Sequence, residues 1–349
     1  MKTTSRTTAL PSHPRRWLFG ALALAAIGGL AAVGFSALAQ QPASAEPAIP
    51  AGANFTSWAD NGKDGQRVLQ LIKGDMPAVG AVVSGVVGIF TVVRGQSFAG
   101  HSLADIGTAG GSAAFLVGVN PLYGFVAMNL VAGGVMELIG IRRPRGRDVA
   151  TGIVLGAALG FAALFLYFDT TSTSTTGATI NVLFGSIFTL PSSIVPVIVV
   201  LSVLAIGMTC FLYRPLLLSS LSPDLAAARG VSLRFVGIGF LVSLALAVSL
   251  SAVTIGAILS TALLIGPAAT ALRFTKRTGS AIVAAAAIGV GATWLGILLS
   301  YDSYYWTPSH RGWPVSFFVV AVVFVVYLAA DLFTGHRVTA RRPTMRGAR

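Results

Sequence analysis

The sequence predicts an all-α, polytopic integral membrane helix bundle, and three observations support this fold class. Hydrophobic residues make up 54% of the 349 residues and charged residues only 10%, against roughly 25% charged residues in soluble domains. The apolar residues form runs of about 20, the length that an α-helix needs to cross a bilayer. The 24 lysines and arginines fall mainly in the breaks between these runs. Together these observations exclude an ordinary water-soluble globule.

Ten apolar runs are predicted as helices, namely one amino-terminal segment and about nine core transmembrane helices. Pro267, in the eighth run, lacks a backbone N–H and is expected to kink or interrupt its helix. The approximate bounds of the runs are 17–38, 76–93, 97–118, 122–141, 149–168, 193–213, 235–252, 254–272, 279–300 and 315–333.

The basic residues predict the orientation of the bundle. If the amino terminus is cytoplasmic, all but four of the 24 lysines and arginines lie on the cytoplasmic side, the exceptions being Lys63, Arg67, Lys73 and Arg311. This separation is what the positive-inside rule requires, and one extra or missing span would destroy it. We therefore expect a multi-pass protein of the cytoplasmic membrane with a cytoplasmic carboxy terminus.

The segments that flank the core bundle are predicted separately. Residues 1–39 are either a signal peptide or an extra transmembrane helix, because an apolar stretch follows two arginines and ends in Ala-Leu-Ala, a typical cleavage pattern. Residues 40–75, rich in Pro, Ala, Asn and Asp, are predicted as an extracytoplasmic linker. The core bundle covers residues 76–333, and residues 334–349 form a basic cytoplasmic tail.

Several functional classes are excluded by composition and motif. Cys210 is the single cysteine, which rules out an intramolecular disulfide framework and thiolate-rich metal sites. The net charge of +13 is spread over short loops, so no nucleic-acid partner is expected. The sequence contains no G-x-x-x-x-G-K-[ST] phosphate loop. Any energy from ATP hydrolysis must therefore come from a partner subunit.

Two ionisable residues in the third run are the first functional candidates. His101 and Asp105 are four residues apart and lie on one face of the predicted helix. An imidazole nitrogen and a carboxylate oxygen are ordinary ligands of zinc, manganese and ferrous iron. The alternative is structural: Asp105 hydrogen-bonds His101 or caps a neighbouring helix end. The small residues around the pair are expected to let another helix pack closely, and the alternative is that they leave room for a solvated passage.

The predicted cytoplasmic loop 214–234 contains the signals of a short helix. Ser222 can cap its start, Pro223 suits the first helical position, and Asp224 complements the dipole at the amino end. Gly230 suits the position after the end. On these residues alone, a helix of about two turns on the membrane surface is expected, with or without a function.

Four motifs give the sequence a family resemblance. Together they cover residues 76–333, and the chain resembles the integral membrane permeases of ABC-type zinc, manganese and iron importers, the ABC-3 family. The motifs are G-I-F-T-V-V-R-G-Q-S-F-A-G at 88–100, L-F-G-S-I at 183–187, S-P-D-L-A-A-A-R-G-V at 222–231 and T-I-G-A-I-L-S-T-A-L-L-I-G-P-A-A-T-A at 254–271.

The resemblance implies partners for this chain and a role for the loop helix. Two permease copies would form the pathway as a homodimer in membrane lipid. Cytoplasmic ATP-binding subunits would dock on the inner face, and an extracytoplasmic metal-binding protein would deliver the ion. The helix with Ser222, Pro223, Asp224, Ala228 and Gly230 corresponds to the coupling helix that fits a groove of the ATP-binding subunit.

The resemblance also bears on the polar pair, with one departure. Family members carry G-D-x-L-x-H on the second core helix, with the Asp and His facing the metal pathway. This chain has G-H-S-L-A-D at 100–105, so the two residue types are exchanged. Because the side chains remain one turn apart on one face, His101 and Asp105 still qualify as pathway ligands. The exchange leaves metal selectivity undetermined.

The expected function is therefore that of a transport subunit. It would be the permease of an ATP-binding-cassette importer that moves zinc or manganese, with iron as a weaker candidate, by alternating access. The metal would be cargo, with no tightly bound cofactor and no structural metal. Two alternatives are an ATP-independent divalent cation channel or secondary carrier, and a membrane enzyme that uses His101 and Asp105 as a general acid/base pair.

Overall fold

The structure is a computed structural model that describes residues 76–142, 147–172, 177–185, 194–303, 306 and 313–339. Within these ranges the chain is helical and contains no strand. The predicted leader or extra helix at 1–39 and the predicted linker at 40–75 lie outside the described residues. The last helix continues to Thr339, six residues beyond the predicted end of the core bundle at residue 333, and residues 340–349 of the predicted tail lie outside the described residues.

Twelve α-helices are assigned in the described ranges. They are α1 (Met76–Val93), α2 (Ser97–Leu116), α3 (Pro121–Arg142), α4 (Arg147–Ser172), α5 (Gly177–Phe184), α6 (Val195–Phe211), α7 (Tyr213–Leu221), α8 (Pro223–Ala228), α9 (Leu233–Ile255), α10 (Ala257–Phe274), α11 (Thr278–Ser303) and α12 (Val315–Thr339).

Each of the nine predicted core runs corresponds to one helix of this list. By length and composition, five of the described helices could each cross a membrane: α4, α9, α10, α11 and α12. The bent pair α6–α7, with an angle of 56°, could supply a sixth span. The apolar stretches of α1 and α3 are shorter. The all-helical fold class is thus observed, whereas the number of spans stays a prediction.

Helix α9 lies at the centre of the bundle and α4 at its periphery. In the apolar window of α9, 89% of the residues are buried, against 17% for α4. Helices α1, α3, α6 and α10 pack around α9, and Phe90, Phe125 and Phe240 are fully buried among them. An apolar helix that is buried on all sides is typical of a bundle centre, so α9 is the element against which the others are positioned.

Small residues allow α2 and α3 to approach each other closely. A Cβ atom on Gly110 would lie 2.2 Å from the carbonyl oxygen of Gly124, and one on Gly124 would lie 2.0 Å from that of Gly110. Gly107 and Gly111 contact side chains of the same neighbouring helix. Close packing of small residues is the usual way in which membrane helices associate. The expectation that these residues admit another helix is confirmed.

The interruption expected at Pro267 lies instead at Gly256. Helix α10 runs continuously from Ala257 through the buried Pro267 to Phe274, because the surrounding packing retains the helical backbone although the proline supplies no N–H. Gly256 has φ 95° and ψ 153°, which ends α9 and starts α10. An interruption at Pro267 is therefore not observed, whereas the kink that was the other expectation for Pro267 stays a prediction.

The break at Gly256 contacts a second glycine turn. Gly185, with φ 85°, ends the short helix α5. A Cβ atom on Gly185 would lie 2.5 Å from the carbonyl oxygen of Thr254, and one on Gly256 would lie 2.2 Å from that of Leu183. The second and fourth sequence motifs thus meet backbone to backbone, at two positions that only glycine can occupy without displacement.

Candidate metal pathway and coupling helix

A tight turn at Gly95 positions the helix that carries the polar pair. Gly95 has φ 64°, its N–H donates to the carbonyl of Val92, and the N–H of Gln96 donates to the carbonyl of Thr91. This pattern is a Schellman motif, which ends α1. Helix α2 begins at Ser97, so His101 and Asp105 lie about 6 and 12 Å along its axis.

The two side chains face each other at a distance that suits a shared ion. His101 Nε2 lies 3.5 Å from Asp105 Oδ2. Two ligands that are each about 2.1 Å from one tetrahedral ion lie about 3.4 Å apart. The side chain of His101 is 48% exposed and that of Asp105 is 19% exposed. An ion could therefore reach both groups, and its binding would require little movement of either side chain.

Thr261 is a third member of the site, and the sequence analysis missed it. Its Oγ1 lies 3.2 Å from His101 Nδ1, across the contact between α2 and α10. If Nδ1 carries the ring proton and donates to Thr261, the lone pair of Nε2 is directed toward Asp105 and is free to bind a metal. The only signal in the sequence was a hydroxyl residue within the apolar fourth motif.

The structural alternative for Asp105 receives less support than the ligand interpretation. The 3.5 Å between His101 and Asp105 is longer than an ordinary N–H···O hydrogen bond of 2.7–3.2 Å. The Asp105 carboxylate thus lies beyond ordinary hydrogen-bond range of the imidazole, but within ion-pair distance of it if the ring is protonated.

The pair alone would bind an ion weakly. Among the described residues, no group of three or more His, Cys, Asp or Glu could hold a metal. Other ligand positions would be filled by water or by hydroxyl and carbonyl oxygens. Weak binding suits a pathway, because conduction requires that the ion leave as readily as it enters.

The short helix predicted in the loop 214–234 is present as α8, and its caps are as expected. Ser222 Oγ accepts a hydrogen bond of 3.3 Å from the N–H of Leu225, Pro223 is the first helical residue, and Asp224 lies in the first turn. Beyond Ala228, the last residue of α8, Gly230 has φ 75°. Local sequence therefore fixes both ends of this helix.

Helix α8 projects from the bundle. Of its six residues only Ala226 is buried, and Leu225 is 47% exposed. Helix α7 runs directly into it and contacts the end of α1 and the start of α9. This short, doubly capped helix with one buried alanine therefore leaves most of its surface exposed.

Comparison with known proteins agrees with this architecture. A sequence profile of the ABC 3 transport family matches residues 76–331. The manganese transport system membrane protein MntC of Listeria innocua is 30% identical over 220 residues, 63% of this chain and 77% of that protein. The manganese import system permease protein ScaB of Streptococcus gordonii is 28% identical over 221 residues, 63% of this chain and 78% of that protein.

A solved structure has the same fold. PsaBC from Streptococcus pneumoniae, in complex with Fab, superimposes with a TM-score of 0.67 at 22% identity, covering 82% of this chain and 99% of that chain. The polytopic helix bundle predicted from composition is therefore confirmed at the level of the fold. Because the family profile spans almost the whole core bundle, this chain belongs to the ABC 3 transport family.

Proposed function

We propose that this chain is the permease subunit of an ATP-binding-cassette importer and that its cargo is a divalent transition metal. The observation that carries the proposal is the separation of 3.5 Å between His101 Nε2 and Asp105 Oδ2. That separation matches the spacing of two ligands on one ion. The names of the family relatives, which are manganese transport permeases, support the same class of cargo.

Manganese is the first candidate for the cargo and zinc the second. The described site offers one imidazole nitrogen and one carboxylate to the ion, with the Thr261 hydroxyl on the other ring nitrogen and no thiolate. Manganese prefers donor sets that contain oxygen ligands such as carboxylates, whereas zinc often uses sets that contain thiolates. Ferrous iron would also accept the His and Asp ligands, so a competition measurement has to rank the three ions.

The proposed partners follow from the exposed elements. A cytoplasmic ATP-binding subunit would dock on α8 and supply the energy, so that this chain itself hydrolyses no ATP. An extracytoplasmic metal-binding protein would deliver the ion, and two copies of the permease would enclose the pathway as a homodimer in membrane lipid. The proposed mechanism requires no resident cofactor, because the metal is the transported substrate, and it involves no nucleic acid.

The proposed orientation is supported by contacts between helix ends. Arg273, at the end of α10, pairs with Asp331 of α12 and donates to the hydroxyl of Tyr327 at 2.7 Å. Both helix ends are predicted from the charge distribution to be cytoplasmic, and a direct contact requires that they lie on one side. This agreement supports the placement of the two helix ends on one side, and the basic residues near them favour the cytoplasmic side.

In the proposed mechanism the residues of this chain hold the ion transiently. Nε2 of His101 and Oδ2 of Asp105 would bind it, while Thr261 keeps the ring proton on Nδ1. Protonation of the imidazole would abolish this binding, since imidazolium has no lone pair for a metal. Alternating access, driven by the partner subunit through α8, would then expose the pair to each side of the membrane in turn.

The proposal is tested with the permease reconstituted in lipid together with its ATP-binding subunit and binding protein. ATPase activity is titrated separately with manganese, zinc and ferrous iron. We expect one metal to stimulate the wild type, and the double variant His101→Ala/Asp105→Ala to lose that stimulation while the complex still assembles.

Ser102→Ala is the matched control for this experiment. Ser102 lies on the same helix but its hydroxyl donates to the backbone carbonyl of Phe98 at 2.8 Å, away from the pair. This variant should keep full stimulation. Normal stimulation in the double variant would contradict the pathway assignment, and metal flux without an ATP-binding subunit would instead identify a channel or secondary carrier.

A further inference from the structure

We infer that Arg94 is a positioning residue that links the coupling helix region to the metal pair, an inference that rests on the proposed function. Arg94 directly follows α1 and precedes the turn that starts α2. Its side chain contacts α7 and α9, which lie on either side of α8 in the chain. Movement of α8 would therefore be transmitted through Arg94 to the helix that carries His101 and Asp105.

The first contact joins Arg94 to the helix that leads into the coupling helix. Arg94 Nη1 donates to Ser219 Oγ at 2.8 Å, and Ser219 in turn donates to the carbonyl of Leu216 at 3.1 Å. Ser219 is buried and lies three residues before Ser222, the cap of α8. A charge-assisted hydrogen bond is stronger and more directional than a bond between neutral groups.

The second contact holds the guanidinium against the centre of the bundle. The Arg94 Cζ atom lies 5.3 Å from the centroid of the Phe240 ring, and Phe240 is fully buried on α9. This distance is within the range of a cation–π interaction. Arg94 therefore bridges α7 and α9, so the hydrogen bond to Ser219 is made from a fixed position.

A third contact, one helical turn earlier, keeps α7 in register with α1. The rings of Phe90 and Tyr213 are 5.6 Å apart and nearly perpendicular, an arrangement that aromatic pairs prefer. Tyr213 is the first residue of α7. Phe90 of α1 contacts Tyr213, and Arg94, directly after α1, donates to Ser219. Because α7 is held at both points, we expect a shift of α7 to move the last turn of α1 with it.

The connection from Arg94 to the metal pair is short and well hydrogen-bonded. The N–H of Arg94 donates to the carbonyl of Phe90, and the N–H of Gly100 donates to that of Gln96. Only Gly95 and Gln96 separate Arg94 from α2, and both take part in the Schellman motif described above. The path from α7 through Arg94 to His101 thus contains no long loop that could absorb a displacement.

The test compares two adjacent serines in the reconstituted complex. Ser219→Ala removes the acceptor of the Arg94 hydrogen bond. Ser220→Ala is the matched control, because Ser220 Oγ donates to the carbonyl of Leu216 and not to Arg94. Arg94→Gln removes the charge, and Arg94→Lys retains it without the guanidinium geometry.

We expect Ser219→Ala and both Arg94 variants to retain assembly and basal ATPase activity. The ratio of metal-stimulated to basal activity should fall about tenfold, within the 5–150-fold range typical of coupling between two sites. Ser220→Ala should match the wild type. The double variant Arg94→Gln/Ser219→Ala should lose no more than Arg94→Gln alone, because the two side chains act as one unit.

A second measurement does not depend on metal stimulation. Binding of the ATP-binding subunit should slow hydrogen exchange at residues 94–100 in the wild type and in Ser220→Ala, but much less in Ser219→Ala. Equal protection in both serine variants would overturn the inference. So would a proportional fall of basal and stimulated ATPase activity in Ser219→Ala, because that result indicates only a structural role.

The outcomes separate this inference from the proposed function. A wild-type complex that assembles but responds to no transition metal contradicts the proposed cargo, and the exchange comparison then still decides the role of Arg94. A wild type that responds to metal, together with Ser219 and Arg94 variants that respond equally well, overturns the role of Arg94 alone.

Discussion

Replacing Gly256 with alanine should destabilise the protein more than any other glycine substitution considered below, for two reasons that add. The backbone at Gly256, with φ 95° and ψ 153°, lies in a region that L residues essentially do not occupy, which costs about 1–3 kcal/mol. The new Cβ atom would also lie 2.2 Å from the carbonyl oxygen of Leu183. Such overpacking costs about 1–3 kcal/mol, so the total is about 2–6 kcal/mol.

Three other glycines separate the two contributions. Gly95→Ala carries only the conformational cost, because φ is 64° but no atom lies within 4 Å of the new Cβ. Gly88 is helical, so Gly88→Ala has only the steric cost of placing its Cβ atom 2.0 Å from the carbonyl oxygen of Leu264. Gly291→Ala carries neither and should stabilise its helix by about 0.5–1 kcal/mol.

The assay is the thermal stability of the four purified variants in one detergent, followed by the loss of the monodisperse peak in size-exclusion chromatography. We expect Gly291→Ala to equal or exceed the wild type, Gly95→Ala and Gly88→Ala to be intermediate, and Gly256→Ala to be the least stable. If Gly256→Ala were as stable as Gly95→Ala, the close approach of α5 to the α9–α10 break would be refuted.

Two further predictions concern the metal pair and the coupling helix. Thr261→Val should lower metal-stimulated ATPase activity about fivefold, because it removes the acceptor of the imidazole hydrogen bond, which is worth about 1 kcal/mol. Thr261→Ser should retain the activity, and equal activity of the two variants would remove Thr261 from the site. Ser222→Ala should cost α8 about 1 kcal/mol of capping free energy and should therefore weaken binding of the ATP-binding subunit. Co-purification of that subunit, compared with the control Ser220→Ala, measures the effect. Unchanged binding would contradict a docking role for α8.

Ten of the twelve described helices could be predicted from the sequence because the signals that determine them are local, whereas α5 and α7 were not predicted. Apolar runs of about 20 residues identified the nine core helices. Ser222, Pro223 and Gly230 marked the ends of α8 through groups no more than five residues away. The spacing of four residues that places His101 and Asp105 on one helical face is likewise a property of the α-helix itself.

Local signals misled where a helix could be either continuous or broken. Pro267 predicted a break because it lacks an N–H, yet neighbouring helices keep α10 intact there. Gly256 looked like one of many small residues in an apolar run. Its positive φ and the backbone of Leu183 and Phe184 in α5, which occupies the space that a side chain would need, both require glycine there.

What the sequence determined by itself was the class of the protein, its nine core helices, the capped α8 and the pair of metal-ligand candidates. The tertiary structure alone decided that Thr261, 160 residues away in sequence, contacts His101, and that Arg94 reaches Ser219 across 125 residues. The physical reason is that helix formation depends on groups within one or two turns, whereas contacts between helices depend on which faces pack together. That choice is made by the shapes of small residues and side chains from distant parts of the chain, and no local pattern records it.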